Sequence, residues 1–132
     1  MAYKTISSPS VPTPPPATWS NMKVHASGHF HISGMAALGA TMYEQAKTTF
    51  GYIKSVLETA GGTMDDIMSM QIFVTNLDKN EEIWRARREF FSGDFPCSTL
   101  VQVMRVGDPR ADPPMEVEIN CTGYIGGSKA NS

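Results

Sequence analysis

The chain has 132 residues, 41% of them hydrophobic, which is enough for one domain with a buried core. A formal net charge of −2, with no basic run beyond Arg85-Ala86-Arg87-Arg88, excludes an electrostatic footprint for nucleic acid or an anionic membrane. Two cysteines are too few for a disulfide framework, no apolar stretch nears the roughly 20 residues of a membrane-spanning helix, and residues 1–20 lack a signal-peptide apolar centre, so a cytoplasmic protein with reduced thiols is expected.

Residues 1–18 carry Pro12, Pro14, Pro15 and Pro16 and read as an extended lead-in, with room for a short edge strand at Lys4-Thr5-Ile6. Met22, Val24 and Ala26 alternate with Lys23 and His25, Ser27-Gly28 is a turn, and Phe30 and Ile32 alternate with His29, His31 and Ser33. These two runs predict a hairpin. Gly34 to Ala40 is a small-residue loop. Thr41 and Glu44 then form a capping-box signature, and Met42, Ala46, Phe50, Ile53, Leu57 and Ala60 make one buried helical stripe that Gly61-Gly62 ends.

Thr63 to Asp66 is a turn with Thr63 capping Asp66. Residues 67–77 predict a long strand, with Met68, Met70, Ile72 and Val74 on one face and Ser69, Gln71, Phe73 and Thr75 on the other. Asn80 is a good N-cap for a second helix running to about Phe91, burying Ile83, the Arg87 stem, Phe90 and Phe91; Ser92-Gly93 stops it. Pro96 precedes a half-buried strand in which Thr99, Val101 and Val103 alternate with Leu100 and Gln102. Met115 to Cys121 is the closing strand, able to pair with it, and residues 126–132 are a polar tail. Two one-striped helices on one face of a mixed sheet give a single two-layer α+β domain over residues 1–132. The other face, carrying Phe73, Leu100 and several methionines, is left uncovered, which points to a cyclic oligomer.

The Cys97 thiol and the Ser98 and Thr99 hydroxyls crowd the turn after Pro96, and pairing of the last two strands would bring Glu116 to that corner. Glu116 is either a water-placing carboxylate or an outward strand residue. Ser98 and Thr99 either bind a ligand or bond their own backbone. Cys97 is either a nucleophile with a lowered pKa or a small, partly buried thiol. His29 and His31 have the i, i+2 spacing of a zinc pair but no third ligand at a recognised distance, so no metal is expected.

The ordered set Ile32-Ser33-Gly34, Leu57 to Asp66, Gln71 to Asn76, Phe90-Phe91, Pro96 and Glu116-Val117-Glu118-Ile119 resembles the RidA (YjgF, reactive intermediate deaminase A) family from about Trp19 to Tyr124. The resemblance implies a chorismate-mutase-like α+β fold and a homotrimer with a small-molecule ligand in each intersubunit cleft. It also implies cofactor-free hydrolysis of reactive enamines and imines such as 2-aminoacrylate. In such relatives an arginine two residues after the proline grips the substrate carboxylate, and a last-strand glutamate, here Glu116, places a water.

This chain has Ser98 at the arginine position, Trp84 where the second helix often has asparagine, and Trp19 in place of a tyrosine. It therefore resembles an arginine-lacking branch. Arg105, seven residues on, would lie roughly 23 Å from Ser98 along an extended strand and cannot replace the missing group within one site, which leaves Arg85, Arg87 or Arg88 of the second helix to do so across an interface. The expected function is a hydrolase or deaminase of altered specificity. Glu116 would be catalytic, and Ser98, Thr99, Ser33, Gly34, Trp19, Trp84 and Cys97 would line the cleft. The alternative is a non-catalytic trimer that binds a metabolite or a protein. An endoribonuclease role, attached to some relatives, is disfavoured by the acidic charge balance.

Overall fold

The computed structural model describes residues 2–129. The strands are β1 (Tyr3–Ile6), β2 (Met22–His25), β3 (His29–Met35), β4 (Ile67–Val74), β5 (Cys97–Gln102) and β6 (Val117–Tyr124); the helices are α1 (Met42–Thr59) and α2 (Asn80–Arg88). One mixed sheet runs β1-β2-β3-β6-β4-β5. Its β4–β5 pair is parallel, because α2 lies in the crossover between them; the other neighbours are antiparallel.

Thr41 caps α1, its hydroxyl accepting from the Glu44 N–H at 3.1 Å. The Glu44 carboxylate reaches back one residue further than a capping box requires, to the Ala40 N–H at 3.0 Å. Gly61, at φ +86°, supplies the left-handed residue after the helix. The α1 stripe of Met42, Ala46, Phe50, Ile53 and Leu57 is fully buried against Phe30, Met70, Ile72, Ile119 and, from α2, Ile83 and Ala86. Each large side chain buried this way contributes about 1.5–3 kcal/mol, so the helix layer is held by this stripe rather than by propensity.

Both helices cover the same sheet face, as the two-layer reading requires. Four details differ from the sequence reading. First, β4 ends at Val74, and Met68 is 60% exposed, because a register shift between Ile67 and Ser69 takes it out of the buried row. Second, α2 stops at Arg88, and Asn80 is its first residue, with Lys79 at the cap position.

Third, β6 does not pair with β5. It lies between β3 and β4, and β5 is an edge strand, exposed except at Leu100. Leu100 is in register with Ile72 and so faces the helices; Val101, level with Phe73, lies on the open face instead. Fourth, the lead-in is anchored: Val11 is buried in the core, and the Asn21 amide donates to the Pro12 carbonyl at 3.0 Å. The tail begins with a short helical turn, Gly127–Lys129, that Asp66 holds through the Ser128 N–H and hydroxyl at 3.0 and 2.8 Å. Residues 130–132 of the expected tail lie outside the described residues.

Candidate functional site

The strand after Pro96 splits its polar residues between two faces. Ser98 is level with Met70 and faces the helix layer, whereas Cys97 and Thr99, level with Ser69 and Gln71, belong to the open face. Ser98 is met there by Arg87, whose Nη1 donates to the Ser98 Oγ at 2.9 Å. The guanidinium is half-buried; burial, and then the charge of Arg88, push its pKa below the ordinary arginine value. Among the described residues no carboxylate pairs with it. A guanidinium has five donors in a planar fork, and a hydroxyl satisfies only one of them, so the remaining edge is free to hold an oxyanion.

The other arginines of this helix differ. Arg85 stacks over the Tyr43 ring at 3.9 Å, and Arg88 lines an outer groove with Trp84, Glu81 and Glu82. Trp84 is 39% exposed, three residues before Arg87 and so its neighbour on the helix surface. The two thiols have different surroundings: Cys97 is exposed, whereas Cys121 is buried in the core, which pushes its pKa up to about 12 and leaves it unreactive.

Glu116 stands just before β6 and is fixed on three sides. Its N–H donates to the Gln45 Oε1 at 2.7 Å, its carbonyl accepts from the Thr75 N–H at 3.0 Å, and its carboxylate accepts from the Lys79 ammonium at 2.9 Å. That hydrogen bond first, and the opposite charge second, raise the Lys79 pKa. Ser98 is level with Met70, whereas Glu116 bonds Thr75, five residues along β4, or about 16 Å. The expectation that Glu116 shares the Ser98 corner is therefore corrected. With β4 between β5 and β6, one chain holds the two groups at opposite ends of a strand.

Ser33 and Gly34 form a third locus, where β3 slips register between Ile32 and Met35 against β6. The Ser33 hydroxyl donates to the Ser20 carbonyl at 2.5 Å, which ties the exposed Trp19 segment to this bulge. Gly34 leaves space that Glu118 uses: a Cβ there would lie 2.6 Å from the Glu118 Oε2. Sequence reasoning weighed Arg105 only as a stand-in for the missing anchor and gave Glu118 no site role, whereas the two share a cleft with Phe73. Phe73 on the polar row of β4 was the available signal. Arg105 stays near the sheet because β5 ends at Gln102 and the following segment turns, with Gly107 at φ +65°.

The rings of His29 and His31 lie edge to face at 4.8 Å, and His29 stacks on Tyr124 at 4.9 Å. Among the described residues no group of three histidine, cysteine, aspartate or glutamate side chains is placed to hold a metal.

A family model described as Endoribonuclease L-PSP matches residues 12–125. Among solved structures, a protein of unknown function from Pseudomonas aeruginosa is 30% identical, covering 94% of this chain and 93% of its own, with a TM-score of 0.82. RidA from an Antarctic Psychrobacter is 26% identical, covering 92% and 99%, with a TM-score of 0.81. TdcF of E. coli, solved with bound serine, is 22% identical over 92% and 98% with a TM-score of 0.80, a likeness of fold alone.

Proposed function

The chain belongs to the Endoribonuclease L-PSP family, the YjgF/RidA family, and from that premise we propose that it hydrolyses a small carboxylated imine or enamine between the subunits of a homotrimer, with Arg87 as the carboxylate anchor. The observation that carries this reading is the Arg87 guanidinium resting on Ser98, half-buried and without a carboxylate partner among the described residues. Ser98 occupies the position where arginine-bearing relatives present their own guanidinium. The charge is delivered from α2 instead of from β5.

The separation of Ser98 from Glu116 supports a site made by two chains. One subunit supplies Arg87, Ser98 and Trp84, with Cys97 and Thr99 at the rim; its neighbour supplies Glu116, Ser33, Gly34 and Trp19. The Lys79 ammonium holds the Glu116 carboxylate in position, so that it accepts a hydrogen bond from water and aims the oxygen lone pair at the C=N carbon. The water oxygen bonds to carbon, one proton reaches the nitrogen, and a carbinolamine forms. Its collapse breaks the C–N bond, releases ammonia and leaves a ketone. Water and the substrate balance the reaction, so the step calls for no cofactor.

The test is hydrolysis of freshly generated 2-aminoacrylate by the purified chain, its Arg87→Gln variant and its Glu116→Ala variant. Turnover that falls in both variants is the expected result. Binding of carboxylates through Arg87 with no turnover would overturn the enzyme reading and leave the alternative, a metabolite-binding trimer.

A further inference from the structure

Just ahead of Ser98 the chain sets an aromatic ring beside the proposed anchor. Phe91, four residues after Arg87, is buried with its ring edge to face against Phe50 of α1 at 6.2 Å. Phe95 lays its ring on Phe91 at 6.0 Å, tilted by 50°, and is 50% exposed. This chain of rings places Phe95 on the helix side of the sheet, where Ser98 also faces, and away from the open face. Phe95 precedes β5 and so stands outside the alternation of that strand.

The ring is placed before any ligand arrives. Pro96 keeps the Phe95 backbone extended, Gly93, at φ +73°, turns the chain ahead of it, and Phe91 backs the ring. Its position relative to Arg87 ties it to a ligand. The Arg87 guanidinium gives one donor to Ser98, and among the described residues no carboxylate takes the others. About 10 Å of extended chain runs from Phe95 to Ser98. For a substrate whose carboxylate is held at the Arg87–Ser98 contact, a methyl side chain ends short of the ring, whereas a benzyl group plus van der Waals contact spans the gap. A fixed aromatic wall beside one charged group is how a small-molecule site selects an aromatic body with one acidic end.

We propose that Phe95 sets the substrate class of the Arg87–Ser98 site as the imine of a 2-oxo acid with an aromatic side chain. This inference rests on the hydrolase reading of that site and adds no step to it: water adds to the C=N carbon, ammonia leaves, and an aromatic 2-oxo acid remains. The carboxylate meets Arg87, and the substrate ring stacks, offset, on Phe95.

The imines of phenylpyruvate and pyruvate, generated in place from L-phenylalanine and L-alanine by an amino-acid oxidase, test the proposal on the full chain in its native oligomeric state. The parent hydrolyses the phenylpyruvate imine with a kcat/KM at least about tenfold above that for the pyruvate imine. Phe95→Ala erases that ratio, Phe95→Tyr keeps the ring and the ratio, and Arg87→Gln lowers both rates. Titration calorimetry with 3-phenylpropionate and propionate needs no turnover. The aromatic acid binds at least about tenfold more tightly, and Phe95→Ala removes the difference. Thermal melts and sedimentation confirm that the variants fold and assemble as the parent does.

A parent that turns over both imines without preference overturns the proposal whatever the variants do, as does a preference that Phe95→Ala leaves intact. Loss of assembly in Phe95→Ala also overturns it, by making Phe95 a subunit contact. If neither imine is turned over, the hydrolase reading fails and the binding pair decides alone. A preference for 3-phenylpropionate that needs both Arg87 and Phe95 then upholds the aromatic selection, and its absence sinks it.

Discussion

Arg87 and Ser98 lie eleven residues apart but share one hydrogen bond, and an exchange of the two side chains measures what that contact does. Arg87→Ser should lower kcat/KM for a carboxylated substrate about 10–100-fold, the value of a charge-assisted hydrogen bond at roughly 1.5–3 kcal/mol. Ser98→Arg alone sets two guanidiniums side by side and should also lower it. The double exchange Arg87→Ser with Ser98→Arg returns the charge to β5 and should recover activity. Failure of the double variant to exceed either single one would show that the position of the charge, and not merely its presence, matters.

The spacing of Ser98 after Pro96 was legible in the sequence. Arg87 was legible only as one of three helix arginines able to reach that position across an interface; its arrival within the same chain was not, because the segment between α2 and β5 folds back by tertiary packing, with Phe91 buried against Phe50. Asp66 gives a second prediction at this scale. Burial alone would raise its pKa, but donors from Ser128, Thr63 and Gly126 outweigh that and hold its carboxyl below the ordinary value. In the folded state it therefore binds fewer protons than in the unfolded chain. Its contribution is fully present above the unfolded carboxylate pKa of about 3.9 and is lost as pH falls through the lower, folded pKa. Melting curves of Asp66→Asn against the parent chain should show a stability gap that is constant near neutrality and narrows below about pH 4.

Among elements, α1 does more than pack. Gln45, on its buried side, donates to the Gly39 and Pro114 carbonyls at 3.1 and 3.0 Å and accepts from Glu116 N–H. One side chain thus fixes the loop before the helix and the entry to β6. Gln45→Leu keeps the size but leaves these backbone groups unsatisfied in a buried place. Stability should fall by about 1–3 kcal/mol or more, and turnover should fall beyond the effect on folding, because Glu116 loses its anchor. Denaturant unfolding measures the first and kcat at fixed folded concentration the second; an unchanged kcat would show that Lys79 and Thr75 suffice to place the carboxylate.

The stripe of α1 was readable from spacing alone, since burial of Met42 to Leu57 follows the helical period. A buried glutamine within that stripe carries no such signal, because its partners come from distant segments. The order of strands was likewise hidden. Alternation shows which residues share a face, but β6 could pair with either β4 or β5 on pattern alone. The choice depends on where α2 sets the parallel crossover.

For the whole molecule, the separation of Ser98 and Glu116 leads to a sharper test than mass alone. A species of three times the 14.4 kDa chain in sedimentation would agree with the proposed trimer, but it would not show that two chains build each site. Arg87→Gln removes one half-site and Glu116→Ala the other, and each homotrimer should be inactive. In a head-to-tail ring every cleft joins the first half of one subunit to the second half of the next. Unfolding the two variants together in equal amounts and refolding them makes mixed rings, in which about a quarter of the clefts join two intact halves. Activity should return to about a quarter of the parent value, although neither variant has any. If one chain holds the complete site, no ring contains an intact site and activity stays at zero. Rescue would place the carboxylate anchor and the water-placing carboxylate on different subunits, in keeping with the roughly 16 Å that separates Ser98 from Glu116 along β4 within one chain.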